Sequence, residues 1–381
     1  MKKGVLMGVV IYLIGGLAML YSGQQPERLQ QQLEELVTEE LAKGNFPGAV
    51  IYVGNADSTI LLEAYGYKTE KNGLGKMSTD AIFDLASVTK PVATATAVLL
   101  LVEQGKIELN APVGRYIPRF AQKGKEGVQV NHLLTHTSGL PAYMNAQNLR
   151  NKYGSPCPEE LLEEVYALSL QSEPGETIRY SCLGYIVLGK LVESVSGQDL
   201  AEFTRKNLWE PLRMKDTTFN PPSRIYNRIA PTHRVSGEPA RGKVHDPLAR
   251  LMDGISGNAG LFSTAEDLAR YCRMLLNDGK YRNREVMSSS TVFFLTNEQS
   301  HGRSYGFDVS SSYSWIKGDY AAPATISHSG YTGTSLVLDH QNELFIIILT
   351  NRSYPNDGGS VRRLRREAAD IIHRELISGE E

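Results

Sequence analysis

The feature that most constrains this chain is the segment LASVTKP at residues 85–91, which opens a long apolar stretch. The stretch at residues 92–104 is rich in Ala, Leu and Val, and Gly105 after it is a suitable helix stop. Pro91 is costly inside a helix but harmless in the first turn, where its missing N–H would have no partner. The pattern therefore predicts a buried helix that begins close to Ser87.

Ser87 and Lys90 are a candidate nucleophile and its proton partner. A serine hydroxyl is a poor nucleophile at neutral pH and must give its proton to a neighbouring base. Three positions apart at a helix start, the two side chains lie on one face within reach of each other. Burial in an apolar helix is expected to lower the pKa of the lysine. Taken alone, the spacing is equally consistent with a helix-capping serine beside a solvated lysine.

A second Ser-x-x-Lys occurs at Ser314 and Lys317. Residue frequencies give roughly one such spacing by chance in a chain of this size. Ser, Tyr and Gly flank this copy rather than a helical run, so we interpret it as a coincidence.

Further segments accompany the Ser87 pair along the chain. They are LLTHTSGL at residues 133–140, YSC at 180–182 and HSGYTG at 328–333. With Ser-x-x-Lys, their order and spacing resemble the serine β-lactamase and penicillin-binding-protein superfamily, in particular its class C β-lactamase, D-Ala-D-Ala carboxypeptidase and family VIII esterase group. The resemblance covers residues 46–351 and includes the segments VHD at 244–246 and GNAGLFS at 257–263.

The resemblance implies an α/β (α+β) fold of the β-lactamase/transpeptidase type. In this fold an antiparallel sheet built from both chain ends is flanked by the N- and C-terminal helices, and a helical lobe is inserted between them. We therefore divide the chain into a signal or anchor at residues 1–23 and one hydrolase domain at 24–381. The α/β lobe is expected at about 26–85 and 299–381, and the mostly helical lobe at about 86–298.

Local patterns lead to a matching set of elements. Apolar residues at helical spacing between Leu29 and Leu41 predict an amphipathic N-terminal helix. Strand pairs are predicted at residues 49–54 with 60–66 and at 335–339 with 343–350, followed by a helix at 360–376. The arginine cluster at residues 362–366 is interpreted as the solvated face of that helix, not as a nucleic-acid-binding patch.

The resemblance also implies catalytic roles. Ser87 would be the acylated nucleophile and Lys90 its proton partner. Tyr180 would share the base role, which needs a nearby ammonium because tyrosine normally titrates near pH 10. The backbone N–H groups of Ser87 and Tyr331 would form the oxyanion hole.

Substrate-binding roles are implied for the strand edge that faces the nucleophile. His328, Ser329 and Gly330 would line this edge, and Cys182 would bind substrate in the place of the family's Asn. Gly330 and Gly333 lack a Cβ atom, which is expected to let the substrate approach the edge closely.

Two residues depart from the pattern of the resembled family. The family often has Asn where this chain has Cys182, so an amide is replaced by a weakly polar thiol. Efficient class C β-lactamases carry lysine where this chain has His328, which is mostly neutral at pH 7 and anchors a carboxylate less strongly. Both changes argue against a dedicated β-lactamase.

Other reactive residues have simpler interpretations. His136 is interpreted as a structural, hydrogen-bonded residue. His245 with Asp246 either lines the substrate cleft or pins a loop. Cys182 as a nucleophile or redox switch is the less favoured alternative to an inert buried thiol, and the three cysteines contain no Cys-x-x-Cys spacing.

Composition excludes several other classes of protein. With 41% hydrophobic residues, 22% charged residues and a net charge of −2, the chain has average globular usage and no sign of nucleic-acid binding. It contains no Gly-x-Ser-x-Gly elbow, no His-Glu-x-x-His zinc helix and no Gly-x-x-x-x-Gly-Lys phosphate loop. Neither a metal nor a cofactor is expected.

The N-terminus predicts export. Lys2 and Lys3 precede an uncharged apolar stretch at residues 4–21, which fits a secretory signal or a single membrane anchor. The residues YSG at 21–23 meet the small-residue cleavage rule poorly, which favours the anchor. The positive-inside rule then leaves the N-terminus cytoplasmic and the enzyme outside the cell membrane.

Together these observations predict an exported serine hydrolase, membrane-anchored or secreted, that forms an acyl-enzyme with a D-alanyl peptide or a small ester. Peptidoglycan is the expected partner, and β-lactams are expected acylating ligands. Two alternatives stay open: a weak β-lactamase or penicillin-binding protein, and a non-catalytic membrane sensor of β-lactams or wall peptides. A sensor would stay acylated for hours, whereas a hydrolase would release product quickly.

Overall fold

The computed structural model describes residues 25–70, 73 and 75–377. The predicted signal or anchor at residues 1–23 lies outside this range. Within it, one helical stretch, Ala86–Glu103, has the length and mean hydropathy of a membrane span, and 83% of that stretch is buried inside the protein. Its burial among other side chains is that of a core helix.

The α-helices of the described part of the chain are short to medium in length. They are α1 (Gln25–Ala42), α2 (Thr96–Glu103), α3 (Val130–Leu134), α4 (Ala146–Tyr153), α5 (Pro158–Ala167), α6 (Cys182–Ser196), α7 (Leu200–Thr204), α8 (Glu210–Leu212), α9 (Pro247–Leu251), α10 (Ala265–Leu276), α11 (Ser289–Thr296) and α12 (Arg362–Leu376). Short 3₁₀ and π turns extend or connect several of them.

The strands form one main sheet and several small ones. They are β1 (Gly48–Asn55), β2 (Thr59–Gly66), β3 (Phe83–Asp84), β4 (Thr218–Phe219), β5 (Arg234–Val235), β6 (Glu238–Pro239), β7 (Leu261–Ser263), β8 (Lys280–Tyr281), β9 (Arg284–Glu285), β10 (Ile326–Ser329), β11 (Ser335–Asp339) and β12 (Leu344–Thr350). The main sheet has the order β10-β11-β12-β1-β2, and a three-stranded sheet has the order β3-β7-β4.

The main sheet is antiparallel and joins both ends of the described chain. β1 pairs with β12 from Ala49 opposite Thr350 to Asn55 opposite Leu344, and with β2 on its other side. Side chains alternate along β1, because successive residues of a strand point to opposite faces. Ile51 packs with the terminal helices α1 and α12, whereas Tyr52 packs with α10 and the rest of the larger core. The sheet is therefore covered on both faces, and the terminal helices flank it as the resemblance implies.

The predicted elements of this lobe are confirmed. The four strands predicted at 49–54, 60–66, 335–339 and 343–350 appear as β1, β2, β11 and β12, within two residues at each end. The N-terminal helix is amphipathic as expected, with Leu29, Leu33 and Val37 fully buried. The C-terminal helix begins at Arg362, two residues later than predicted.

The helix predicted near Ser87 is interrupted. A 3₁₀ turn at Ala86–Val88 leads into a π-helical segment at Lys90–Ala95, and regular α-helix begins only at Thr96. The hydroxyl of Thr96 donates to the carbonyl of Pro91 at 2.8 Å. π-Helical turns are commonly found at functional sites, and this one lies directly after the candidate nucleophile.

Two strands of a small sheet, β4 and β7, lie inside the region predicted as mostly helical. β3 ends at Asp84, three residues before Ser87, and pairs with β7, which also pairs with β4. These strands are two or three residues long, so they carry no alternating pattern that sequence inspection could detect.

Asp339 at the end of β11 connects the main sheet to α12. Its carboxylate accepts the N–H of Ala322 at 3.1 Å and the side-chain amide of Asn342 at 2.9 Å, and lies 3.3 Å from Nε2 of His373. Burial opposes ionisation, but the hydrogen bonds from His373, Asn342 and Ala322 hold the pKa of Asp339 well below its usual value.

We predict that Asp339→Asn lowers the free energy of unfolding by about 2–4 kcal/mol at pH 7, because buried donors lose a charged acceptor. A lowered folded-state pKa contributes stability above about pH 4 that is lost as the pH falls further. The difference in free energy of unfolding between wild type and Asp339→Asn, measured by urea denaturation, should therefore be smaller at pH 3 than at pH 7. Asp319→Asn, which removes an exposed ion pair with Arg366, is the control and should change stability by less than about 1 kcal/mol. An equal effect of both substitutions would contradict the prediction.

Candidate active site

Ser87 lies in a strained turn that donates a hydrogen bond to the buried carboxylate of Asp84. The turn follows β3, and Ala86 within it has a φ of +47°, a left-handed value that is unfavourable for an L-residue with a side chain. The N–H of Ala86 donates to Asp84 at 2.9 Å, and the other oxygen of Asp84 accepts the N–H of His245 at 2.6 Å. Asp84 therefore joins the nucleophile turn to the segment that carries His245.

Lys90 is fully buried beside Ser87, and its ammonium group has three acceptors. Nζ lies 3.0 Å from Oγ of Ser87, 2.9 Å from the carbonyl oxygen of Asn258 and 3.5 Å from Sγ of Cys182. The expected lowering of its pKa is wrong. Burial, the largest influence, does lower the pKa of Lys90, but the neighbouring Cys182 and Tyr180 outweigh it and raise the pKa above its usual value. Lys90 is thus an ammonium in the resting protein.

Tyr180 lies next to both of these residues. Nζ of Lys90 is 5.0 Å from the centroid of the Tyr180 ring. Burial raises the pKa of Tyr180, although the charge of Lys90 and the hydrogen bonds to Ser87 and Lys90 act in the opposite direction. Tyr180 is therefore a neutral phenol at rest, and the nearby ammonium that the sequence analysis required is present.

Cys182 is the first residue of α6, and its backbone N–H donates to the carbonyl of Ala142 at 2.9 Å. Burial raises the pKa of its thiol, so the nucleophilic thiolate is disfavoured. The three cysteines are all free. These features favour the inert-thiol interpretation over a nucleophile or a redox switch.

His328, Ser329 and Gly330 lie at the end of β10, as expected, and line the same cavity as Ser87. Burial, reinforced by the charges of Arg303 and Lys90, holds the pKa of His328 well below its usual value. Its Nδ1 lies 3.1 Å from the carbonyl oxygen of Ser329. His328 is therefore uncharged and cannot anchor a carboxylate by ion pairing.

The packing of the protein around Gly330 by itself requires a glycine. A Cβ atom there would lie 2.2 Å from Oγ1 of Thr334 and 2.4 Å from the carbonyl oxygen of Leu85. The turn after β10 is thus pressed against the nucleophile turn, and the hydroxyl of Thr334 donates to the same Leu85 carbonyl at 2.8 Å.

Gly333 shows the same kind of constraint. Its φ is +111°, and a Cβ atom would lie 1.9 Å from Oγ1 of Thr350. Between the two glycines, the hydroxyl of Thr332 donates to the carbonyl of Asp84 at 2.7 Å. These contacts fix the position of the Tyr331 backbone relative to the turn that carries Ser87.

The cavity in front of Ser87 has a volume of about 550 Å³. Cys182, expected to bind substrate, does not line it. The lining combines the other expected substrate-binding residues with aromatic and basic ones: Ser87, Tyr180, Asp308, Tyr313, Trp315, His328, Ser329, Gly330, Tyr331, Arg352, Gly359, Ser360, Val361, Arg362 and Arg365. The arginines were missed by the sequence analysis.

The interpretation of the arginine cluster as a solvated face is wrong for Arg365, whereas Arg362 is exposed as expected. Arg365 is only 8% exposed and donates to the carbonyls of Gly330 and Thr334 at 2.8 and 2.7 Å; burial lowers its pKa to about 9. The guanidinium of Arg362 lies over the ring of Trp315, 4.5 Å from its centroid. Their spacing of three places them on one helix face, a signal that was available in the sequence.

The contacts of His245 and Asp246 support the loop-pinning alternative. Asp246 caps α9 and accepts the hydroxyl of Tyr143 at 3.0 Å and the side-chain amide of Asn258 at 3.1 Å. The ring of His245 also stacks on that of Tyr331, with centroids 5.4 Å apart, so the pinned loop borders the cavity.

The second Ser-x-x-Lys is structural, as interpreted. Ser314–Lys317 forms a 3₁₀ turn in which Nζ of Lys317 donates to the carbonyls of Val309 at 2.7 Å and Pro323 at 2.8 Å. The hydroxyl of Ser314 donates to the carbonyl of Ser311 at 2.7 Å.

Fold and site define a hydrolase of the β-lactamase type. The family model described as Beta-lactamase matches residues 33–370, and the chain belongs to this family. It is 33% identical over 358 residues to an N-acetylmuramyl-L-alanine amidase of Bacillus subtilis (strain 168), covering 85% of this chain and 81% of that protein. It is 31% identical over 345 residues to a Salmonella schwarzengrund protein that is named as a D-alanyl-D-alanine carboxypeptidase. The match covers 81% of this chain and 79% of that protein.

A solved structure supports the fold. The hydrolase EstCE1, described as having promiscuous acyltransferase activity, superposes with a TM-score of 0.75 at 22% identity and covers 91% of this chain and 99% of its own. The protein is thus a β-lactamase-fold hydrolase related to D-alanyl-D-alanine carboxypeptidases and amidases.

We predict that Asp84 makes stability depend on pH. Burial raises the pKa of Asp84 to about 6 despite the hydrogen bonds from His245 and Ala86. Because the folded state holds this proton more tightly than the unfolded chain does, protonated Asp84 contributes stability that falls by about 2 kcal/mol as the pH rises from 4 to 6. The free energy of unfolding of wild type minus that of Asp84→Asn should fall by this amount, measured by urea denaturation.

Asp80→Asn is the control for Asp84→Asn. A hydrogen bond from Ser78 and the charge of Arg228 lower the pKa of Asp80. The free energy of unfolding of wild type minus that of Asp80→Asn should therefore rise, and not fall, with increasing pH. A difference between wild type and Asp84→Asn that does not change with pH would contradict the prediction.

Proposed function

We propose that this protein is an exported serine hydrolase that forms an acyl-enzyme on Ser87, with a D-alanyl peptide of the cell wall as the acyl donor. The observation that carries the proposal is the contact between Nζ of Lys90 and Oγ of Ser87 at 3.0 Å, beside a cavity that Ser87 and Tyr180 line. Export is inferred from the basic and apolar N-terminal residues.

The reaction needs one proton fewer than the resting site holds. Lys90 is an ammonium and Tyr180 a phenol at rest, so loss of one proton from this pair creates the base. Oγ of Ser87 then bonds to the substrate carbonyl carbon while its proton passes to the pair. The N–H groups of Ser87 and Tyr331 would donate to the developing oxyanion.

Three proton transfers complete the cycle. The Lys90–Tyr180 pair gives its proton to the leaving amine as the scissile bond breaks, which leaves an ester on Ser87. A water molecule then attacks this ester, giving a proton back to the pair, and Ser87 leaves with that proton as a free hydroxyl. Each turnover therefore consumes one water and restores the singly deprotonated Lys90–Tyr180 pair that began the cycle.

The basic lining of the cavity supports an anionic substrate. Arg352, Arg362 and Arg365 border the same cavity as Ser87, and guanidinium groups bind carboxylates strongly. A D-alanyl peptide carries a free C-terminal carboxylate, whereas a small neutral ester does not. The names of the Bacillus and Salmonella relatives, an amidase and a carboxypeptidase, agree with amide hydrolysis.

We predict that Ser87→Ala abolishes acyl transfer, because the variant lacks the oxygen that forms the ester. Intact-protein mass spectrometry after exposure to a fluorescent penicillin, together with assays of a D-Ala-D-Ala peptide and p-nitrophenyl butyrate, measures adducts and turnover. Ser314→Ala removes the serine of the other Ser-x-x-Lys and should behave like wild type. Full activity of Ser87→Ala would end the proposal, and an adduct stable for hours with every reagent would favour the sensor alternative.

We predict that Arg362→Gln lowers kcat/KM about tenfold for a peptide with a free C-terminal carboxylate, corresponding to about 1.4 kcal/mol. The loss should be much smaller for the same peptide as its C-terminal amide, because that group carries no charge. Arg366→Gln, on the neighbouring face of α12 and paired with Asp319, is the control. Equal losses for both peptides would argue against carboxylate recognition and favour an ester or other neutral substrate.

A further inference from the structure

His136 holds the chain on both sides of Tyr180. Its backbone carbonyl accepts the N–H of Arg179 at 2.8 Å, and its side-chain Nδ1 accepts the N–H of Ser181 at 3.0 Å. Both neighbours of Tyr180 are therefore bonded to one residue from a distant segment. These two hydrogen bonds restrict the backbone rotations that would otherwise move the Tyr180 hydroxyl.

The imidazole ring of His136 also packs directly on the phenol. The ring centroids of His136 and Tyr180 are 4.2 Å apart, and those of His136 and Tyr185 are 4.9 Å apart. The hydroxyl of Tyr185 donates to the carbonyl of Leu134 at 2.9 Å, which fixes this ring in turn. His136 thus lies between two tyrosines, one of which lines the cavity.

The backbone of His136 is strained. Its φ is +61°, in the left-handed region that costs a non-glycine residue about 1–2 kcal/mol. The N–H of Thr137, the next residue, donates to the carbonyl of His132 at 2.8 Å and closes the turn. The contacts made to the Tyr180 segment offset this strain.

His136 is suited to holding Tyr180 and not to carrying a proton. Because Nδ1 accepts a hydrogen bond, the neutral ring carries its proton on Nε2. Burial, with the charges of Arg303 and Lys90 and the proximity of His328, keeps the pKa of His136 well below its usual value. The lone pair that could act as a base is already occupied by Ser181.

We propose that His136 is a positioning residue for acyl transfer, holding the hydroxyl of Tyr180 beside Ser87 and Lys90 without exchanging a proton itself. The inference rests on the proposed function, because it takes Tyr180 to move a proton. It assigns a specific task to a residue that the sequence analysis interpreted only as structural.

The test compares side chains at one position. His136→Gly removes the ring and also relieves the left-handed backbone, so its fold does not depend on the strained turn. Misplacement of Tyr180 by about 1 Å should lower kcat about 100-fold while KM changes little, because the cavity arginines are untouched. His136→Asn keeps an oxygen near the position of Nδ1 and tolerates a positive φ, so it should recover most of the kcat.

The matched control is His132→Ala. His132 lies four residues earlier and also accepts a backbone N–H on Nδ1, from Gln129 at 3.2 Å, but it makes no contact with Tyr180 among the described residues. This variant should keep the wild-type kcat. Thermal unfolding of all variants separates a loss of folding from a loss of positioning.

A double-mutant cycle identifies the residue through which His136 acts. Adding His136→Gly to Tyr180→Phe should cost less than about threefold in kcat, because the hydroxyl that His136 positions is already gone. Independent effects that multiply, or a wild-type kcat in folded His136→Gly, would overturn the inference. Failure of the proposed function is recognised separately, by activity that survives in Ser87→Ala.

Discussion

The buried ammonium of Lys90 is the constraint around which the cleft is organised. A charge taken out of water is tolerated only when its donors are matched by acceptors. Here the acceptors are Ser87 on its own turn, Cys182 at the start of α6 and the carbonyl of Asn258. Three segments that are far apart in the chain must therefore converge on one atom, directly beside the Ser87 side chain that lines the cavity.

The main sheet connects this cavity to the chain termini. β1 and β12 are covered on both faces, so α12 is held against the sheet by the same core that buries α1. From this fixed helix, Arg365 reaches the carbonyls of Gly330 and Thr334, and the hydroxyl of Thr334 reaches the carbonyl of Leu85. The C-terminal helix thereby stabilises the turn opposite the nucleophile, which explains why its arginines border the site.

The electrostatics of the cavity follow from burial. Desolvation keeps His136 and His328 neutral and raises the pKa values of Tyr180 and Cys182, so these groups carry no charge at rest. Lys90 stays cationic, and arginines border the outer part of the cavity. Such an environment favours negative charge that develops on a bound substrate, which is the requirement of acyl transfer.

The sequence by itself determined the elements that depend on local periodicity: β1, β2, β11, β12 and the terminal helices. It also predicted the proximity of Ser87 and Lys90, because two residues that are three positions apart at a helix start lie close together whatever packs around them. The direction of the Lys90 pKa shift, the contact of Asp84 with the nucleophile turn and the packing reason for Gly330 were decided only by tertiary structure. Each of these depends on groups brought together from distant parts of the chain. A local sequence pattern cannot predict the distances between such groups.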